Sequence, residues 1–380
     1  MIVLTDVIGF GIILPLIPTI SSKLNISGLA LGLFTASYSL AQLISAPMLG
    51  SLSDKYGRKP ILVISKAGTV LAYLILAFTN NYLLLIISRL IDGFTGGNIP
   101  AARAYISDIT TKENRSKGMA IVGMAFGLGF ISGPAIGGIF YSLFKNITAP
   151  ALSGAALSFL SLVLTYFLLD ESHRQNNPQN HTKITFSKYF AILTRPNIQL
   201  IMVFQLFLMI CMAGYQTNLT LFTDKIYGFT PDKNSLLFIF IGIISVISQG
   251  VLIKKKIVRQ YQTLFIANLV TAISVLLISI NQSLLIFGIL LGVSIASNSV
   301  VGVVLPSTLS TQSSTDPEGE IQGVFESAGA LGRVIGPIIY SSFILLHPRL
   351  TFASIALMLI ITTLPLFAKI SHERSNGSQQ

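Results

Sequence analysis

Of 380 residues, 52% are apolar and 10% are charged, with a mean hydropathy of +0.74. An ordinary soluble domain carries about 25% charged residues, so the composition argues against a soluble enzyme. At about 20 apolar residues per crossing, the length argues equally against a single-span anchor. Lys and Arg outnumber Asp and Glu by 25 to 14, a net +11, which in a soluble chain would suggest nucleic acid. Here no aromatic residues interleave a basic surface, and the excess reads instead as basic residues held in cytoplasmic loops.

Apolar runs bounded by charge, Pro or Asn predict helices over 2–20, 29–51, 61–79, 82–105, 118–142 and 149–169. A second set follows over 197–222, 235–253, 262–280, 283–308, 321–346 and 350–369. The fold class is therefore all-α, a polytopic membrane protein with twelve transmembrane helices. Its expected parts are an N-terminal six-helix bundle (1–169), a cytoplasmic linker (170–196), a C-terminal six-helix bundle (197–370) and a cytoplasmic tail (371–380). The linker is the one long polar stretch, with a short amphipathic helix expected over Phe186 to Leu193. With the N-terminus inside, 17 of the 25 basic residues fall in inner loops and the tail and 5 in outer loops, while Arg89, Arg103 and Arg333 fall within helices. That bias predicts both termini on the cytoplasmic side of a cell membrane. Asp6 stands only about 6 to 8 Å above Met1 at 1.5 Å per residue, so a short inner N-terminal stretch is expected to be either missing or dispensed with.

The halves share a repeat. GLGFISGPAIGGIFY (Gly127 to Tyr141) in the fifth helix is similar to ALGRVIGPIIYSSF (Ala330 to Phe343) in the eleventh, aligning Gly129 with Gly332 and Gly133-Pro134 with Gly336-Pro337. Parallel six-helix repeats are the build of a rocking transporter, with substrate bound at their interface. Glycines at 129, 133, 137 and 138 offer small faces for close helix packing. Pro134 permits a kink, and Pro15 marks a bend in the first helix.

Four motifs occur in order: DVIGFGIILPLIP (Asp6 to Pro18), GSLSDKYGRKP (Gly50 to Pro60), RLIDGFTGG (Arg89 to Gly97) and GFISGPAIGG in the fifth helix. On these residues the chain resembles the major facilitator superfamily, and within it the twelve-helix drug:H⁺ antiporters that include tetracycline and multidrug exporters. The resemblance makes Asp54 a conformational latch, and Gly50 and Gly57 permit close packing and a tight turn. An anion beside the positive end of the eleventh helix, near Ile321 to Gly323, would be stabilised by about 0.3–1 kcal/mol, or up to ~2 when partly buried. Arg58 can bridge Asp54 to Asp108. Lys55, Lys59 and Lys66 read as ordinary positive-inside charge.

Charges within helices cost roughly 2.5–3.5 kcal/mol at a helix centre, so they face a cavity or a partner. Six such residues stand out: Asp6, Arg89, Asp92, Arg103, Glu326 and Arg333. The resemblance ties Arg89 to proton coupling and Asp6 to the acidic position of the first helix. An Asp6 and Arg89 pair would take or release a proton as helix motion separates them, the alternative being a static buried ion pair. Asp92, three residues on, would hold Arg89 in place. Glu326 and Arg333, two turns apart, suit one cavity wall. Glu326 joins the proton-coupling candidates, and Arg333 is placed to attract an anionic substrate group. Asn98, Gln205, Gln216 and Asn298 complete the expected cavity lining, with interhelical hydrogen bonding as the plainer alternative.

No G-x-x-x-x-G-K-[ST] run occurs, which disfavours a nucleotide-driven pump and leaves an ion gradient as the energy source, with no cofactor. The single cysteine, Cys211, supports neither a disulfide framework nor a metal cluster. No acidic residue lies over 262–280, where tetracycline exporters carry one, which argues against tetracycline. The basic loop GVLIKKKIVRQY lacks the aspartate and glycine of its N-terminal counterpart, so one latch is expected. The leading expectation is proton-coupled export of a small amphipathic compound by a monomer whose partners are lipid, substrate and protons. The alternative is uptake or facilitated transport of a metabolite or organic anion. A transporter-like sensor would need a signalling domain, and the tail offers little material for one.

Overall fold

The computed structural model describes residues 1–26, 28–110, 115–172, 196–253, 259–312 and 318–377. Side chains at 107, 115–120, 123, 196–197, 252–253, 310, 318–323 and 372–377 lie outside that description. The predicted Phe186 to Leu193 helix and most of the 170–196 linker fall outside the described residues.

Among the described residues there are fourteen α-helices, one 3₁₀ turn and no strand. They form twelve membrane-spanning units, because the first and fourth spans are each divided in two. In the first span, α1 (Ile2–Ile13) and α2 (Ile17–Leu24) flank a 3₁₀ turn at Leu14–Leu16. Pro15 and Pro18 are the second residues of the turn and of α2, in a first turn where a missing N–H costs no hydrogen bond. They bend the span without ending it. Next come α3 (Gly28–Tyr56) and α4 (Arg58–Phe78).

The fourth span was expected as one helix over 82–105. It is instead α5 (Tyr82–Gly96) followed by α6 (Ile99–Ile109), broken at Gly97 and Asn98. The Gly97 N–H still bonds the Gly93 carbonyl, at 3.1 Å. Pro100, however, lies in the first turn of the next segment, and proline restrains the residue before it. The unit continues with α7 (Arg115–Phe144) and α8 (Thr148–Leu168). The second half holds α9 (Pro196–Tyr227), α10 (Pro231–Ile253), α11 (Gln260–Ile280), α12 (Leu284–Gln312), α13 (Glu318–Ile344) and α14 (Pro348–Gly377). Among the described residues, ten helices are long and apolar enough to cross a membrane, the divided first span Ile2–Leu24 counting as one. The divided fourth span and α13, whose Glu326 and Arg333 lower its hydropathy, complete the twelve.

Large apolar side chains such as Phe167, Leu285 and Leu346 are each 74% exposed, while Ser45, Ser88, Ser161, Thr220 and Thr308 are fully buried. This inverts the soluble pattern and suits a protein whose solvent is hydrocarbon. Several buried hydroxyls bond back to carbonyls of their own helix, as Thr308 does to Val304 at 2.8 Å, while the Thr220 hydroxyl is buried without a hydrogen-bond partner.

The chain divides into two compact units, Met1–Asn177 with Leu219–Gly242 and Pro178–Asn218 with Ile243–Gln380. Within the first, α1 packs against α7 and α8, and α4 against α5 and α8. The glycines of α7 explain the closest of these crossings. A Cβ placed on Gly129 would lie 2.6 Å from Val7 Cβ, one on Gly133 2.5 Å from the Ile8 carbonyl oxygen, and one on Gly137 2.5 Å from the Ile12 carbonyl oxygen. Gly11 reciprocates from α1, where a Cβ would meet Pro134 Cδ at 2.8 Å. Gly138 faces elsewhere, onto Ser235 of α10. The second unit repeats the crossing: Gly332 packs on the Leu206 carbonyl oxygen, 2.7 Å from a notional Cβ, and Gly336 packs on the Ile210 carbonyl and Gly214. The aligned glycine pairs thus admit the first helix of their own unit in the same way. The repeat is structural as well as textual.

Candidate functional site

Charged side chains of the first unit gather in two places. The inner cluster forms where α3 turns into α4. Gly57 sits at φ +103° and ψ 155°, a conformation open to glycine alone. A Cβ there would also lie 2.7 Å from the Glu171 carboxylate. That carboxylate accepts from the backbone N–H of Arg58 at 2.7 Å and of Lys59 at 3.1 Å. Those are the orphan donors of a helix start, where an anion is favoured by the dipole.

The Arg58 side chain is the centre of the cluster. Its Nη1 lies 2.5 Å from Asp54 Oδ1 and 2.6 Å from Ser53 Oγ, and its Nε lies 3.1 Å from Asp108 Oδ2. Ser172 donates to the same Asp108 oxygen at 3.0 Å. Arg58 therefore joins the end of α3 to the end of α6, and Ser172 and Glu171 bring in the chain just after α8. Gly50 is not sterically required, since a Cβ there would make an ordinary 3.6 Å contact with Pro100. The expected seat for Asp54 at Ile321 to Gly323 lies outside the described side chains.

The second cluster is buried in the membrane region, and it corrects the expected pairing. Asp6 is not the partner of Arg89. Its Oδ1 lies 2.5 Å from Lys66 Nζ, with both side chains nearly or fully buried, and its Oδ2 accepts from Asn98 Nδ2 at 3.1 Å. Lys66 is thus no loop charge: it stands two turns inside α4 with 0% exposure. Asn98 is no free cavity residue either. It is the fully buried residue preceding α6, and the break in the fourth span delivers its amide to Asp6.

Arg89 pairs with Asp92 one turn along α5, Nη1 to Oδ2 at 2.9 Å. The contact expected between Asp92 and Arg89 is present. The guanidinium lies over the Tyr73 ring, 5.3 Å from its centroid, a cation–π contact that partly replaces lost water. Its Nε and Nη2 are buried without a hydrogen-bond partner, as is Asn98 Oδ1. Two carboxylates and two cations in one desolvated region balance in charge, so a proton entering there competes with an existing cation, while the two unpartnered Arg89 nitrogens remain open to an acceptor.

Arg103 is exposed on α6, Glu326 is exposed on α13, and Arg333, Gln216 and Asn298 are half-buried. Gln205 is buried at 6%, its amide nitrogen 2.7 Å from where a Cβ on Gly329 would stand. Cys211 is buried with its thiol 3.9 Å from the Tyr340 hydroxyl. Sequence reasoning missed Lys66, Glu171 and Ser172. For Lys66 a signal existed, since it lies inside the predicted 61–79 span. Glu171 and Ser172 were absorbed into a stretch with linker composition.

The Major Facilitator Superfamily model matches residues 1–337. The tetracycline resistance protein, class E, of Escherichia coli is 28% identical over 351 residues, 90% of this chain and 85% of that protein. Multidrug resistance protein 2 of Bacillus subtilis (strain 168) is 29% identical over 255 residues, 66% of this chain and 63% of that protein. Among solved structures, the human organic anion transporter MFSD10 (TETRAN) superposes with a TM-score of 0.71 at 20% identity, covering 96% of this chain and 97% of that one. With the matched model spanning most of the chain, twelve helices and the duplicated glycine crossing, this protein belongs to the Major Facilitator Superfamily and is a multi-pass membrane transporter.

Proposed function

We propose that this transporter exports a small amphipathic organic compound in exchange for protons, by alternating access. The observation that carries this reading is the carboxylate of Asp6, buried against Lys66 and Asn98, beside the Arg89–Asp92 pair. A carboxylate in that setting exchanges a proton only when its partner moves, which ties protonation to helix motion. Likeness to tetracycline and multidrug resistance proteins supports the substrate class. In this reading Asp6 carries the proton, Arg89 and Asp92 respond to it, and the Asp54–Arg58–Asp108 cluster is the latch. Glu326 remains a further proton-coupling candidate, and Arg333, Gln205, Gln216 and Asn298 contribute to substrate selection. The protein works as a monomer in a cell membrane, with both termini cytoplasmic and the halves as two moving bodies.

Proteoliposomes loaded with ethidium, an amphipathic cation, test it within a wider dye and drug panel. An imposed pH gradient drives transport in the parent protein. Asp6→Asn loses that drive while retaining substrate exchange at equal pH. Gradient-driven transport unchanged in Asp6→Asn removes the reading.

A second reading, transport of an organic anion, has its own support. The Arg89 guanidinium keeps two buried N–H positions without partners, and a structural neighbour is described as an organic anion transporter. Competition by organic anions, with affinity lost in Arg333→Gln while proton drive persists, selects this reading.

A further inference from the structure

Lys66 carries a charge that the membrane interior tolerates for a specific reason. Its ammonium has three N–H donors, and all three are used: Ile2 carbonyl at 3.0 Å, Thr5 hydroxyl at 2.6 Å and Asp6 Oδ1 at 2.5 Å. Each acceptor comes from the first turn and a half of α1, so one lysine of α4 reads one short stretch of α1. The Thr5 hydroxyl is itself fixed, donating to the Ile2 carbonyl at 2.9 Å and lying 3.1 Å from Ser161 Oγ on α8. This is a saturated cation site. Arg89, by contrast, leaves two nitrogens unpartnered.

The charges around Asp6 can be named element by element. Lys66 and Tyr73 come from α4, Arg89 and Asp92 from α5, Tyr38 from α3, and the Met1 amino group from the chain start. Of the helices packed on α1, α6 carries Arg103 and Asp108, the first exposed and the second engaged by Arg58. The sequence holds no charged residue over 121–144 in α7 or over 148–168 in α8. Lys66 is therefore the one cation in direct contact with Asp6 among the described residues.

We propose that Lys66 is the positioning residue of the proton-coupling carboxylate, an internal cation that alternates with the transported proton on Asp6. The proposal rests on the reading of Asp6 as the proton carrier. When a proton bonds to the Asp6 carboxylate, the ammonium–carboxylate bond breaks, and Lys66 is left fully buried without its counter-charge. A buried ammonium in that state must move or release its own proton. Protonated Asp6 and a bound charged Lys66 thus exclude each other. The ion pair that is lost is one of the three contacts by which Lys66 binds α1, so proton uptake loosens α4 from α1. No oxidant or second reactant is involved.

Dicyclohexylcarbodiimide, an apolar reagent that adds to protonated carboxyl groups, reads the exclusion without any transport substrate. The full-length protein in lipid vesicles is treated at neutral pH, and modification of Asp6 is followed by peptide mass spectrometry. Lys66→Gln raises the rate of Asp6 modification by about tenfold or more, the factor for one unit of protonation equilibrium. Lys66→Arg, which restores the cation, returns the rate toward the parent. Lys66→Met serves as a second uncharged variant, and far-ultraviolet circular dichroism confirms which variants are folded. Equal rates in the parent and the uncharged variants overturn the proposal, as does Lys66→Arg reacting as fast as Lys66→Gln. If Asp6→Asn keeps gradient-driven transport while modification still follows the charge at 66, proton coupling through Asp6 fails, and only the exclusion between lysine and proton survives.

Discussion

Replacing Gly133 by Ala tests the α1–α7 crossing directly. The new Cβ would stand 2.5 Å from the Ile8 carbonyl oxygen, 2.8 Å from Gly11 Cα and 3.1 Å from Gly11 C. Comfortable separations between such atoms are about 3.5–4.0 Å, so α1 must retreat by roughly 1 Å where it crosses α7. A gap of that size forfeits about a quarter to a half of each dispersion well along the crossing. Overpacking of this kind costs about 1–3 kcal/mol. Against it stands the better helix propensity of Ala, worth about 1 kcal/mol over Gly, leaving a net loss of about 0–2 kcal/mol. Gly288 is the control, because a Cβ there meets nothing within 4 Å; Gly288→Ala keeps the propensity gain and is neutral or stabilising. Thermal unfolding in detergent followed by far-ultraviolet circular dichroism separates the two, at about 2–4 °C per kcal/mol for a unit of this size. Gly336→Ala, which meets the Ile210 carbonyl in the second unit, behaves like Gly133→Ala. Equal melting of Gly133→Ala and Gly288→Ala would falsify the claim that the glycine face admits α1.

Two further substitutions probe the inner cluster. Gly57→Ala meets both an unfavourable backbone conformation, costing about 1–3 kcal/mol, and the Glu171 carboxylate. In a Glu171→Ala background the steric part of the loss disappears and the backbone part stays, so an identical loss in both backgrounds refutes the collision with Glu171. Arg58→Ala removes partly exposed pairs worth about 0.2–1 kcal/mol each, so melting changes little while transport slows, because the tie from α3 to α6 is cut. A large drop in melting with unchanged transport assigns the cluster to stability and removes the latch.

The spans were legible because hydrocarbon solvent imposes a simple rule: about 20 apolar residues, ended by charge, Pro or Asn. The 262–280 prediction against the observed Gln260–Ile280 shows how little tertiary context the rule needs. Where a span is broken within the membrane, the rule fails. Nothing in the hydropathy of 82–105 separates α5 from α6, because the break rests on the backbone chemistry of Gly97, Asn98 and Pro100, which an apolar count does not register. That break in turn moves Asn98 from an expected cavity wall to Asp6. The glycine repeat was readable for the opposite reason: absence of a side chain is itself the packing information, and the two copies confirm each other.

Charge pairing was the least legible feature, and Lys66 shows why. It lies eight residues after the start of α4, roughly 12 Å along the helix at 1.5 Å per residue. At that depth a lysine of an isolated helix reaches the interface with its flexible stem, and loop charge and buried counter-ion are indistinguishable by sequence. Position along one helix cannot say which other helix lies beside it. Asp6 raised the same ambiguity from the other side, since Arg89 was the cation made conspicuous by its motif. The structure resolves both at once: α1 brings Thr5, Asp6 and the Ile2 carbonyl to the same ammonium, and α5 turns Arg89 to Asp92 and Tyr73. The desolvation cost of four charges is met by two separate pairs, with the arginine pair still holding unused donors. Coupling is therefore expected to start at the saturated lysine pair, where one added proton removes an attraction that no neighbouring group replaces.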